Sequence, residues 1–587
     1  MKTALFQFLI KHKQKLFLLI PLTVFLFSTS AFFYYVKDDA FITFRFSRNL
    51  VSWGEFAFNR GIKVEGFTNF LWVLILAIPA LLKIDQLIFA KIVSFLLSAG
   101  AILYLWKTTE VFNQNKKDNI LVPLSVTTIF ASGTSFALWT MSGLENGLFM
   151  FLILSGLYHT YTSKKKTGVL LLTLSCLTRP EGHLFLIAGA AILGFEIIKE
   201  KKLGKEVLIW FLIPFSILSL YHIFRFYYYG SLFPNTFLVK GSPLLNDVFR
   251  INTKNGFALE GTSVRYIKEF LDFNLNKYLL LLSFASLITR KKEQLLKNLF
   301  FFFIVTAFFV YHIKIGKDSM IFYRLFLPIM PILAYLSIEG VKNISSLFHI
   351  PKKFSGLVSV ASALPLCVGM MSFSHSNENK SLNRYMERSA ASHQALGHYL
   401  VENAKENDVV AFQDMGGTPY IASNLNFFDT IGVVDPWMGR ELGKIKYNPF
   451  LRREKMGTPA GKNEIAVFST KFRNYLFDEV NPEWVAFVAY SPKVEGKNMS
   501  QALAAVDLSL TQNKNVMFPQ RTNPLVIDEN SLNKVESFFS PSLAGNSYYH
   551  GLYSDARFKK RYQLESYWKR TENYWIVLFK KKSSATN

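Results

Sequence analysis

The sequence predicts a polytopic α-helical membrane protein that ends in an extracytoplasmic α/β domain. Three observations predict it. Half of the 587 residues are hydrophobic and 16% are aromatic, with 58 phenylalanines. Through the first two-thirds of the chain the apolar residues are bunched into runs near the length of about 20 that a helix needs to cross a hydrocarbon core of roughly 30 Å. From residue 374 onward the apolar runs shorten to strand length, as in Val409–Phe412, Phe427-Phe428 and Trp484–Val488, with turn signals such as Gly416-Gly417 and Asn481-Pro482 between them. The expected division is a transmembrane domain over 1–373 and a soluble α/β domain over 374–587.

Apolar runs at 16–36, 86–106, 119–139, 144–162, 206–228, 298–313, 324–344 and 354–373 are the candidate spans. Shorter apolar helices are expected at 167–178, 183–198 and 278–289. The first run is long for a signal-peptide core and is read as a retained span. Basic clusters at Lys11–Lys15, Lys107–Lys117, Lys164–Lys166, Lys199–Lys205, Arg290–Lys297 and Lys352-Lys353 belong on the cytoplasmic side. They can all lie there only if 68–84, a short run interrupted by Pro79, does not cross. That run is therefore expected to lie in, or dip into, the outer interface. The result is about 11 crossings of the cytoplasmic (inner) membrane, N-terminus inside and C-terminal domain outside.

A net charge of +25, from 66 Lys and Arg against 41 Asp and Glu, fits basic loops facing anionic lipid. No basic stripe is tied to a nucleic-acid motif, so nucleic acid is not an expected partner. Two cysteines, Cys176 and Cys367, both in apolar segments, exclude a disulfide framework and a cysteine-based zinc site.

With this topology, ionisable residues from distant parts of the chain fall on the outer side. Asp38 and Asp39 follow the first span directly, a costly place for two adjacent carboxylates unless they are used. One Asp there is accounted for as a helix N-cap; two are not, because one cap position needs one side chain. Asp39 is nearer the following helix and better placed to cap it, which leaves Asp38 as the favoured general base. Glu145 sits between two spans, at a place where a first-turn helix acid is the plainest reading. Arg179 lies between two short apolar helices, with Glu181 as a structural partner or a phosphate as a ligand. Arg225, Asn235 and Lys240 stand in a stretch of aromatics that a membrane-interface belt only partly explains. Asp318 and Arg324 flank the start of a later span.

In order along the chain, DDAFITFR (38–45), EGFTN (65–69), SGLEN (142–146), LTRPEG (177–182), YYGSLFPNT (228–236), GKD with YR (316–324) and DMGGTPYIA with DTIGVVDPW (414–437) resemble the GT-C class of polyprenyl-phosphate-dependent glycosyltransferases. The nearest likeness is to the terminal β-(1→2) arabinofuranosyltransferases and their bacterial relatives, and it covers nearly the whole chain. Lys317 stands where that pattern has a second glycine, and Asn146 where it has threonine.

The resemblance implies a membrane enzyme that takes a sugar from a polyprenyl-phosphate donor to an envelope glycan or glycolipid acceptor. It implies an outer-loop aspartate, Asp38 or Asp39, as base, and inversion at the anomeric carbon. Arg179, Arg225, Asn235, Lys240, Arg324, Glu145 and Asp318 are the expected binders of the donor phosphate and sugar. A divalent cation (magnesium, manganese or calcium) on Asp38, Asp39 and Glu145 is the one cofactor that the residue types suggest. Trp437 and Trp484 are either glycan-binding faces or core aromatics, and core is the favoured reading for any single one. The rival reading is a polytopic transporter or lipid flippase, which would place its ionisable groups near midspan in broken helices.

Overall fold

In the computed structural model the described residues are 13–113, 120–162, 164–200, 205–240, 250–252, 256–258, 262–289, 291–315, 320–351, 354–444, 459–490, 552–571 and 574–583. They divide into two compact units, each assembled from separate stretches of chain. One unit takes residues 1–33, 87–223 and 242–379; the other takes 34–86, 224–241 and 380–587.

The first unit is helical apart from a short antiparallel pair, β1 (Arg250–Asn252) and β2 (Gly256–Ala258). Among the described residues of the whole chain, five helices are long and apolar enough to cross a membrane: Gln86–Phe112, Leu208–Tyr229, Lys292–Ile313, Ile321–Leu347 and Ser355–Ser381. A sixth is reached if Leu121–Ser132 and Thr134–Thr140, bent by 62° at Gly133, count as one broken span. The expected helices near 144–162, 167–178 and 278–289 form as Asn146–Tyr161, Lys165–Cys176 and Asn276–Ala285. At a rise of 1.5 Å per residue they fall short of a roughly 30 Å core, so helix length alone does not yield eleven crossings. The helix Leu208–Tyr229 turns Leu208, Phe211, Phe215, Leu220 and Phe226 outward, an apolar face suited to lipid.

The second unit is built on a mixed five-stranded sheet. Its strands are β3 (Val409–Phe412), β4 (Asn426–Asp429), β5 (Trp484–Tyr490), β6 (Tyr562–Thr571) and β7 (Tyr574–Lys581), in the order β4-β3-β5-β7-β6. The β3–β4 and β3–β5 pairs are parallel, and β5–β7 and β6–β7 antiparallel. Successive strand residues point to opposite faces, and here both faces are apolar. Ala411, Phe428, Val485, Phe487, Val577 and Phe579 enter one core; Val410, Phe412, Phe427, Ala486, Ile576 and Leu578 enter the other. Such a sheet must be covered on both sides.

The first core is closed by Met438 and Leu442 of the helix Pro436–Lys444, by Phe468 and Phe472 of the helix Pro459–Asn474, and by Phe558. The second is closed by Leu396 and Leu400 of the helix Asn377–Asn403, and by Phe46, Phe58, Phe67 and Val73 from the stretch 34–86. The stretch 34–86 is thus a layer of the α/β unit. Its helix Asp39–Trp53 stops at Gly54, whose φ of 70° closes the last turn through an N–H to the Leu50 carbonyl. Its helix Phe70–Leu81 is 12 residues long, about 18 Å, and buries Trp72, Val73 and Leu76 while exposing Leu74, Ile78 and Leu81. Trp484 is 1% exposed and donates from Nε1 to Asp408 Oδ2 at 3.0 Å, which makes it a core aromatic.

Candidate functional site

Asp38 occupies the N-cap position of the helix Asp39–Trp53, yet its side chain makes no capping hydrogen bond. Its Oδ1 instead accepts the N–H of Gly417, at 2.9 Å, from the turn that follows β3. The approach is close enough that a Cβ built on Gly416 would overlap the Asp38 carboxylate and carbonyl. Glycine is required there by contact rather than by backbone angle. Asp39 opens the first turn of the helix, where its charge favours the exposed N–H groups, and it remains partly exposed.

Two residues that the sequence reading did not single out face Asp38. His393, on the helix Asn377–Asn403, is 1% exposed at its side chain. Its Nδ1 stands 3.8 Å from Asp38 Oδ1, and its Nε2 lies 2.8 Å from Asp414 Oδ2. Phe412 flanks the ring, and the His393 carbonyl accepts the Thr418 hydroxyl at 2.7 Å. Asp414 lies within the DMGGTPYIA motif and offered a signal; His393, in a polar helix 355 residues after Asp38, offered none.

Arg45 and Arg48 hold the same turn in place. Arg45 is 1% exposed and donates to the carbonyls of Phe58, Pro419 and Leu425, with its guanidinium over the Phe58 and Phe427 rings. Arg48 donates to the Tyr420 carbonyl at 2.6 Å and stacks on the Tyr420 ring. Asn59 bridges to the Phe427 backbone through both its amide nitrogen and its oxygen.

In the same unit Arg225 pairs with Glu65, Nε to Oε2 at 2.6 Å and Nη2 to Oε1 at 3.2 Å, both side chains almost fully buried. Asn235 spends its amide nitrogen on the carbonyls of Gly432, Val433 and Asp435, at 2.6 to 3.2 Å. Neither group is presented as an open phosphate ligand; both tie 224–241 to the domain. Lys240 closes the short helix Asn235–Lys240, and its side chain lies outside the described part.

The loop that Asn235 clamps carries two unusual carboxyls. Burial pushes Asp429 up to about 7, against N–H bonds from Ile431 and Val434 that favour its charged form. Burial likewise raises Asp435 to about 6.

In the helical unit, Arg179 sits between two carboxylates, Nη1 to Glu145 Oε1 at 2.6 Å and Nη2 to Glu181 Oε1 at 3.0 Å. All three residues are under a tenth exposed. Glu181 is thus the structural partner that the sequence suggested, with Glu145 added. Glu145 makes no side-chain cap at the start of Asn146–Tyr161, so the first-turn reading is replaced by an ion pair. Arg324 is partly exposed with its guanidinium 5.6 Å from the Trp139 ring centre.

The expected site residues therefore fall into two groups, one in each unit. Asp318 and Lys317 lie outside the described residues. Among the described residues no three His, Cys, Asp or Glu side chains converge as metal ligands, and Asp38, Asp39 and Glu145 do not form such a set. The residues do not fit a resident divalent cation, because Glu145 is neutralised by Arg179 and Asp38 is turned onto a backbone N–H and an imidazole. Trp437 lies face to face with Tyr475, ring centres 3.8 Å apart, and both are partly exposed.

Residues 383–518, which contain His393 and Asp414, match a family model described as a domain of unknown function, DUF8728. No curated protein matches the chain. Among solved structures the chain is similar to ArnT from Cupriavidus metallidurans bound to undecaprenyl phosphate, at 11% identity and a TM-score of 0.48, over 83% of this chain and 94% of that one.

Proposed function

We propose that this chain is an inverting membrane glycosyltransferase, moving a sugar from a polyprenyl-phosphate donor to an envelope glycan or glycolipid on the outer side of the membrane. The observation that carries this reading is Asp38. It stands at a helix start without capping it, held by a backbone N–H, backed by an imidazole and partly open to solvent. A carboxylate so fixed and so exposed is suited to take a proton from an incoming hydroxyl. The acceptor oxygen attacks the anomeric carbon as its proton passes to Asp38; the bond to the donor phosphate breaks and its electron pair leaves with the phosphate. Cations stabilise that leaving charge. Lys240, which belongs to the same unit as Asp38, is the residue assigned to it, because Arg225 of that unit is already committed to Glu65. The order of motifs around Asp38 supports the donor class, and the apolar helices support a multi-pass membrane protein. The unit that carries the sheet, with residues 380–587 and the stretches 34–86 and 224–241, is assigned to the outer side as the soluble domain.

The test is transfer by the purified protein in nanodiscs, supplied with undecaprenyl-phosphate pentoses and hexoses and an envelope extract as acceptor. Asp38→Asn is expected to lose about 10²-fold or more, the usual contribution of a general base, with insertion unchanged. Wild-type rates in both Asp38→Asn and Asp39→Asn would remove the assignment.

One observation favours the transporter reading, the 62° break at Gly133 inside an apolar pair of helices. Sugar transfer without any ion gradient decides against it.

A further inference from the structure

The side chain of His393 is 1% exposed, and each of its ring nitrogens faces a carboxylate. Nε2 is within hydrogen-bond reach of Asp414 Oδ2, at 2.8 Å. Nδ1 faces Asp38 Oδ1 at 3.8 Å, too long for a hydrogen bond and short enough for one to form with a small side-chain rotation. The third side is closed by Phe412, which carries no charge. The Thr418 hydroxyl, bound to the His393 carbonyl, ties the helix that carries the ring to the Gly417–Ile421 turn that holds Asp38. A helix 355 residues from Asp38 in sequence thus has its register against it set by two short bonds.

We propose that His393, oriented by Asp414, is a positioning residue that acts through Asp38: it relieves the carboxylate of the proton it has taken up. The inference rests on the sugar-transfer reading above. With the Nε2 proton donated to Asp414, the Nδ1 lone pair faces Asp38. The acceptor O–H bond breaks as its oxygen bonds the anomeric carbon, and the phosphate leaves with the electron pair of the broken glycosyl bond. The proton goes first to Asp38 and then to Nδ1. The resulting imidazolium lies between the two carboxylates of Asp38 and Asp414. Asp414, with 27% of its side chain exposed against 1% for His393, is the end of the chain of groups from which the proton reaches water. The stretch matched as a domain of unknown function therefore supplies part of the reaction machinery, through His393 and Asp414.

The experiment uses the full chain in nanodiscs with the same panel of undecaprenyl-phosphate sugars, and compares wild type, Asp38→Asn, His393→Ala, His393→Gln and Asp414→Asn. His393→Ala is expected to lower kcat about 100-fold with KM within about threefold, and free imidazole to restore about tenfold of it. In His393→Gln the acid limb of the rate profile moves toward the carboxylate range, because an imidazole no longer has to be neutral. Asp414→Asn gives a smaller loss in kcat. Wild-type kcat in His393→Ala overturns the proposal. So does a loss that imidazole leaves unchanged while the acid limb stays in place, since packing alone then explains it. Activity that survives Asp38→Asn instead sinks the underlying reading of Asp38 as base, and the two failures are told apart.

Discussion

Arg225 and Glu65 form a buried ion pair across 160 residues of sequence, with Nε 2.6 Å from Oε2. It joins the stretch 224–241 to the stretch 34–86, and the Asn235 N–H adds a bond to the Glu65 carbonyl at 2.9 Å.

Removing one partner of that pair strands the other charge in the interior. Glu65→Gln or Arg225→Met is expected to cost about 3–5 kcal/mol, and the double change Glu65→Leu with Arg225→Met to recover much of it. Thermal unfolding of the detergent-solubilised protein measures this. A double variant no more stable than the worse single one would mean that the pair has a role beyond mutual neutralisation.

Gly416 and Gly417 are adjacent and should respond differently. A methyl at Gly416 overlaps the Asp38 carboxylate, whereas at Gly417 its nearest neighbours stand 3.4 to 3.6 Å away, ordinary contact. Gly416→Ala is expected to destabilise by about 1–3 kcal/mol, as overpacking does, and to abolish transfer. Gly417→Ala is expected to retain both. Activity of the two variants, side by side, reads out how closely Asp38 is held.

Stability should fall as pH rises from about 4 to about 7. Asp429 titrates in the folded state at about 7 against 3.8 when unfolded, because burial disfavours its charged form. Between these values the folded chain holds more protons than the unfolded one, so raising the pH favours unfolding; above about 7 the effect is complete. Asp435, raised to about 6, acts in the same direction. In Asp429→Asn the dependence of the melting temperature on pH over this window should flatten, and an unchanged slope would show that Asp429 is ionised throughout.

A cysteine placed at the exposed Glu406, with Cys176 and Cys367 replaced by serine, should react with a membrane-impermeant maleimide from outside intact cells or spheroplasts. Labelling only after the cytoplasm is opened would put the sheet-bearing unit, and Asp38 with it, on the inner side.

The sequence by itself determined the apolar helices, the strands β3, β4 and β5, and the candidacy of Asp38, since each rests on local composition and period. It also offered Glu181, a neighbour in the chain, as one of two partners for Arg179 beside a phosphate, and the structure pairs the two. Only the tertiary structure decided that 34–86 is a layer of the α/β unit, for the need to cover both apolar faces of the sheet is met by residues more than 300 positions away. Only it decided that Arg225 and Asn235 are spent on protein partners, and that His393 and Asp414 stand behind Asp38. A side chain's charge and shape are written in the sequence; which groups lie within 4 Å of it is set by packing of distant segments, and no local pattern records that.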